Sequence, residues 1–428
     1  DHDAYYDVLG QTFASGELPD VVLLGSTYYA GYAGEDVLWD MTEVFENSDF
    51  NASGRLKAPD VIEGVKIDGK LFGMPVTRGN GCVTYVKQDW LDAVGMEAPT
   101  TYAEYLAMLE AFTTGDPDGN GVNGDTYGVS SAGIIGKESP FVNYLPEFYQ
   151  DAYPSFYQKE DGTWADGFLD PNMEAALLRL REVYEKGYLD KESLTNGTKD
   201  CRNKYYEDKF GVFTYWAGKW NTNLKVNLEA NDLSGELVAL EPIAELDAYI
   251  ERTPPVWTIT AAAENPEGVF KYFFDSMFDG DKVQTLWTYG VKGIHWDDKA
   301  ETVVENTYAE GEFHMLESLE IPGTQYTTAH IDPLLSIGSF TGSDPGAAQI
   351  AAEATNSQTV FNENSVQAKI VVATDEMSQY NGDLTTLKNE IVANVVTQGA
   401  DFAAEMARFE KEGGKSWSDM IVESLNKN

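Results

Sequence analysis

The residues from Asp116 to Tyr127 hold the pattern richest in chemistry: Asp116-Pro-Asp118-Gly-Asn120-Gly121, then Val122, Asn123, Gly124 and Asp125. Oxygen-bearing side chains at the first, third and fifth positions converge on one centre when the chain turns, and a glycine at the sixth permits the turn. This is the first half of a calcium loop. The second half departs from it: Tyr127 stands at the twelfth position in place of a bidentate Glu, and the nearest acid, Asp125, is at the tenth. Asp116, Asp118, Asn120, Val122 and Asp125 are the expected ligands of a structural Ca2+. An Asx-Gly turn cluster without metal is the other reading. Nothing in the pattern pairs groups that would let the metal activate water.

Catalytic patterns are missing: there is no G-x-S-x-G, Walker loop, H-E-x-x-H or C-x-x-C. With 71 acids in the chain, two carboxylates will lie close by chance, so a carboxylate pair carries little information. No enzyme and no cofactor for chemistry are expected. The informative residues are the nine tryptophans. Trp216 and Trp220 in YWAGKW, Trp257 in PPVWTIT, Trp287 in LWTYG and Trp296 in GIHWDD lie beside glycines, polar residues or the ends of expected strands. Flat aromatic faces with Asp, Asn, Glu and Arg at the rim match a sugar ring, which is apolar on its C–H faces and polar at its hydroxyls. Burial in the core is the competing reading for each tryptophan. Trp39, Trp90 and Trp417 lie on helical patterns and are assigned to packing.

The elements that must position these residues alternate between helix and strand. Tyr5 to Ala14 is apolar at helical spacing and Gly16 ends it; LPDVVLLG (18–25) suits a strand buried in a parallel sheet. The loop Ser26, Thr27, Tyr28, Tyr29 then follows a strand's carboxyl end, where ligands of open α/β sheets bind. Strands are expected at 69–76, 82–87, 210–215 and 256–261. Helices are expected at 89–94, 101–112, 173–186, 266–278, 384–396 and 402–409, with a capping box at Thr100 or Thr101 and Glu104. The fold class is α/β. The length of 428 residues suggests two domains. A net charge of −42 opposes nucleic acid and anionic membranes. The two cysteines, Cys82 and Cys201, read as buried thiols. No apolar run approaches the roughly 18 residues of a membrane helix.

Several segments, in order and spacing, resemble the bacterial extracellular solute-binding proteins of family 1, the lipoprotein-like branch serving carbohydrate ABC importers. They are ELPDVV, LWDMT, DGKLFGMPV, VKQDWLDAVGMEAPTTYAEYLAMLEAF, DPDGNGVNGDTYGVS, REVYEKGYLDKES, FGVFTYWAGKW, NPEGVFKYFFDSMF, LWTYGVKGIHW and VTQGADFAAEMARFEKE. The resemblance covers nearly the whole chain and is most specific from Lys87 to Tyr127. It implies a two-lobe periplasmic-binding-protein-like fold with a hinge and an inter-lobe ligand cleft. The implied lobes are 1–113 with 256–322 and 114–255 with 323–428. The implied ligand residues are Ser26, Thr27, Tyr28, Arg78 beside Thr77, and Trp257 from the first lobe, Tyr144, Glu147, Trp216 and Trp220 from the second, and Trp296 near the hinge.

The resemblance further implies a sugar or oligosaccharide ligand, transmembrane permease subunits as partners, a monomer, and an extracellular place as a cell-surface lipoprotein of a Gram-positive bacterium or a periplasmic protein. A peptide- or lipid-binding member of the same fold and a secreted glycosidase are the alternatives. The chain opens at DHDAYYDVLG without the family's signal, lipid-modified Cys, first strand and first helix, so an upstream segment is expected in the natural protein.

Overall fold

The computed structural model describes residues 2–33, 35–79, 81–132, 134, 144–303, 306–316, 337–347, 351–372 and 374–427. The chain forms two compact units: Asp1–Gly79 with Thr253–Ile350 and Ile370–Ala373, and Asn80–Arg252 with Ala351–Lys369 and Thr374–Asn428. These divisions correct the expected ones. The first crossing falls at 79/80 and not 113/114, because Cys82–Lys87 is hydrogen-bonded to Phe210–Trp216 and Leu237–Ala239 inside the second unit. The expected division at 322/323 lies outside the described residues.

The first unit is built on three strands in the order Val21–Leu24, Val256–Ile259, Gly73–Pro75. Both outer strands are antiparallel to the middle one, with Val256 opposite Leu24 and Pro75. The expected parallel setting of Val21–Leu24 is thus corrected: its neighbour comes from a distant part of the chain. Gly73 is required here, since a Cβ would lie 2.6 Å from Val256 Cγ2. Leu24, Val256, Ile259, Phe274 and Phe278 fill the core. The helix His2–Ser15 lies against Val21–Leu24, where Tyr5 donates its hydroxyl to the Leu23 carbonyl at 2.8 Å.

In the second unit four strands run in the order Tyr127–Val129, Phe210–Trp216, Cys82–Lys87, Leu237–Ala239. The sheet is mixed: Tyr127–Val129 is parallel to its neighbour and the other pairings are antiparallel. The helix Tyr102–Thr114 starts at the expected capping box of Thr101 and Glu104, and its Phe112 meets Trp90 edge to face at 5.3 Å. Cys82 and Cys201 are buried and free. The helix Asp375–Gln398 packs on Met173–Glu185, and Lys388 and Ser418 both donate to buried Asp166. The helix expected over 266–278 begins at Pro266–Val269 and widens to a π-turn over Phe270–Asp275.

Candidate functional site

In the first unit the outer strands Val21–Leu24 and Gly73–Pro75 both oppose Val256–Ile259 and therefore run in the same direction. Their carboxyl ends emerge at one end of the sheet, beside the start of the middle strand. Ser26, Thr27 and Tyr28, Thr77 and Arg78, and the entry to Trp257 are gathered there. Residues 26–29 are not the expected loop. They open the helix Ser26–Ala33, whose Tyr29 N–H donates to the Gly25 carbonyl at 2.9 Å. Tyr28 is 41% exposed and its ring stacks on Tyr6 at 4.0 Å and 3°. Arg78 is half-buried, and its Nη2 donates to Asp60 Oδ2 at 3.2 Å. The Trp257 side chain packs edge-on against Phe273 at 5.7 Å and Trp287 at 6.5 Å.

Trp296 is corrected to a packing residue. It is 9% exposed, stacks on Phe313 at 4.7 Å and 25°, and donates Nε1–H to the Gly290 carbonyl at 3.1 Å. It also lines a hollow together with Lys292 and Phe340.

In the second unit the strand Phe210–Trp216 ends at Trp216, and Trp220 follows on the next helix. Successive side chains point to opposite faces, so Trp216 and Tyr215 diverge. Tyr144 meets Trp216 edge-on at 6.3 Å and 78°, and the exposed Arg252 lays its guanidinium over the Trp216 ring at 4.8 Å. Trp220, on the first turn of Lys219–Glu229, follows Tyr215: their rings meet at 5.1 Å and 84°. Arg202 packs over Trp220 at 5.1 Å and donates to the Tyr215 hydroxyl at 2.6 Å. The two tryptophans, expected to act together, therefore have separate partners. Both are half-buried and packed beside the core of this unit, Trp216 against Tyr144 and Arg252 and Trp220 against Tyr215 and Arg202.

Glu147 is corrected from ligand residue to buried acid. It is 1% exposed and accepts a hydrogen bond from the Thr84 hydroxyl, which also meets Thr214 Oγ1 at 2.9 Å. Burial pushes its carboxyl up to about 7.

Sequence reasoning missed Arg252 and Arg202. Arg78, Arg181 and Arg408 pair with carboxylates. Arg202 and Arg252 instead lie on aromatic faces, a placement that favours guanidinium over ammonium. A usable signal was their rarity: two arginines near tryptophans in a chain of 71 acids.

The Asp116–Asp125 loop forms a compact acid cluster. The Gly121 N–H donates to the Asp116 carboxylate at 3.0 and 3.2 Å. The Asn120 amide donates to Asp118 Oδ2 at 2.8 Å and to Asp125 Oδ2 at 2.9 Å, and the Val122 N–H donates to Asn120 Oδ1 at 2.7 Å. Asp118 Oδ1 is buried without a hydrogen-bond partner among the described residues. Burial first, then the nearby Asp125, Asp116 and Asp208, raise the Asp118 carboxyl above the usual range. Among the described residues no three His, Cys, Asp or Glu side chains gather closely enough to hold a metal as they stand. The neutral Asn120 amide, seated between the Asp118 and Asp125 carboxylates, bridges them by hydrogen bonds and leaves Asp118 Oδ1 without one among the described residues.

Residues 4–223, about half of the chain, match the family model described as bacterial extracellular solute-binding protein. The chain is 25% identical over 331 residues to the polygalacturonan/rhamnogalacturonan-binding protein YtcQ of Bacillus subtilis, an alignment covering 70% of this chain and 61% of that protein. It spans less than two thirds of the length of the curated relatives it matches. An HMO-binding, ABC-transporter-associated solute-binding protein of Bifidobacterium longum infantis superposes with a TM-score of 0.67 at 15% identity, over 99% of this chain and 90% of that one. The Streptococcus pneumoniae substrate-binding protein FusA, as an EF-hand mutant in complex with fructo-nystose, superposes at 0.56 with 18% identity over 99% and 90%. At these identities the likeness is one of fold.

Proposed function

We propose that this chain, which belongs to the bacterial extracellular solute-binding protein family, is the substrate-binding component of an ABC importer and captures an oligosaccharide for delivery to a membrane permease. The observation that carries the reading is the platform at the end of Phe210–Trp216. Trp216 offers a half-exposed face, Tyr144 braces its edge, and Arg252 supplies a guanidinium for hydroxyl or carboxylate oxygens. Stacking contributes about 0.5–1.5 kcal/mol per ring and each net hydrogen bond about 1 kcal/mol. In the first unit Tyr28 and Arg78 are the polar candidates. Relatives and fold neighbours named for polygalacturonan, HMO and fructo-nystose binding support the class of ligand. No bond needs to be broken.

The loop residues Asp116, Asp118, Asn120, Val122 and Asp125 would hold a structural Ca2+, which would neutralise the carboxylates and pin the turn without taking part in chemistry. An acidic, soluble receptor outside the cell, anchored by a lipid, fits the charge of −42. The reading is tested by titrating the protein with a panel of oligosaccharides while following tryptophan fluorescence, then chromatographing the recovered sugar. Saturable quenching with intact sugar supports it, and cleavage of the sugar would refute it.

A further inference from the structure

We propose that the second unit holds another ligand pocket, distinct from the Trp216 platform, which takes one or two neutral sugar residues. The cavity measures about 450 Å3, inside the roughly 300–1,000 Å3 range of small-molecule sites, and all of its lining residues belong to this unit. Trp216, Tyr144 and Arg252 are not among them.

Its apolar walls are Tyr149, Tyr153, Phe156 and Tyr157. Tyr153 and Tyr157 meet at 6.0 Å and 68°, so they form a corner of two faces. Tyr157 is locked there, since its hydroxyl donates to Asp170 Oδ2 at 2.7 Å. A corner of fixed rings suits the C–H faces of a sugar, whose hydroxyls project sideways towards polar neighbours.

The polar lining has two further features. Asn172 Oδ1 and Gln367 Nε2 are buried and have no hydrogen-bond partner among the described residues. Buried polar atoms are seldom left so, and an acceptor and a donor from two separate segments match hydroxyls, which both give and accept. Gln150 and Asp247 also line the cavity at φ of 50° and 67°. Side chains rarely adopt this left-handed backbone, and it clusters at ligand sites.

Charge decides the kind of sugar. Asp151, Asp170, Glu245 and Asp247 line the cavity against a single lining cation, Lys369. Nearby Arg179 is committed to the Phe148 and Tyr149 carbonyls. Uronates and sugar phosphates are repelled, whereas carboxylates accept hydrogen bonds from neutral hydroxyls.

The experiment is isothermal titration and ligand-observed NMR of the full chain with glucose, galactose, fructose, sucrose and maltose, and with galacturonate as the acidic control. The same titrations are made on Trp216→Ala, Tyr157→Phe and Gln367→Leu, each with a melting curve. The proposal expects at least one neutral sugar to bind at a single site, equally well in Trp216→Ala and at least fivefold more weakly in Tyr157→Phe or Gln367→Leu variants that melt normally. The proposal is overturned if no neutral sugar saturates by about 10 mM, or if galacturonate binds better. It also fails if the binding disappears in Trp216→Ala while both pocket variants keep it. That last pattern would leave the oligosaccharide function standing and remove only this pocket.

Discussion

Trp216 and Trp220 are four residues apart and do different work. Trp216→Ala should lower oligosaccharide affinity tenfold or more, about 1.4 kcal/mol, with the melting temperature nearly unchanged. Trp220→Ala should instead cost stability, on the order of 2 kcal/mol, because its ring is packed between Tyr215 and Arg202. Fluorescence titration and thermal melts of the two variants check both at once. Glu147 supplies a pH signature. Its ordinary value of 4.5 is raised to about 7 in the folded state. Between those values the folded protein keeps a proton that the unfolded chain has released. The stability contribution therefore falls as pH rises from about 4.5 to about 7, by about 3 kcal/mol, and is level above. Glu147→Gln should flatten that slope in urea melts at pH 5 and 7.5 compared with the unmodified protein; an unchanged difference between the two pH values would contradict it. At this scale residue types were legible and surroundings were not. The aromatics of YWAGKW could be singled out from the sequence, but which of them Arg252 would cover depends on a strand's pleat and a segment 36 residues away.

Among the elements, the loop Asp116–Asp125 makes a prediction with two signs. With calcium, Asp118→Asn should lower the melting temperature, since a bound ion at 100 times its Kd is worth about 2.7 kcal/mol. In chelator the same change should be neutral or stabilising, because it removes a buried, unpartnered carboxylate oxygen beside Asp125. Melts with calcium and with EDTA check this, and identical curves in both would remove the metal. Oligosaccharide binding should survive chelation, as the loop shares no residue with the Trp216 platform. Elements whose signals are local were readable from the sequence: the capping box at Thr101, the periodic helix at Met173–Glu185, the strand Phe210–Trp216. Pairing was not. Val21–Leu24 is apolar enough for a parallel sheet, yet its partner is Val256–Ile259, antiparallel and some 235 residues on, and no local pattern encodes such a register. The helical start at Ser26 was hidden by tyrosines and a glycine that read as a loop.

The whole molecule carries a charge of −42 on two units that the chain visits several times. The number of units was legible from length, and the crossings were not. The division at 79/80 follows from which sheet accepts Cys82–Lys87, a choice settled by hydrogen bonds to strands more than 120 residues later. A surface this acidic keeps the protein dispersed and disfavours nucleic acid. On the proposed function, the few arginines on aromatic faces are the points of contact offered to a sugar's oxygens. The central claim is reversible capture of an oligosaccharide without chemistry. It is tested most directly by equilibrium titration of the full chain with an oligosaccharide panel, followed by chromatography of each sugar after overnight incubation. The account predicts saturable, micromolar, one-to-one binding of at least one oligosaccharide that is recovered intact and whose binding is lost in Trp216→Ala. Binding of none of them, or recovery of shortened sugar, would contradict it.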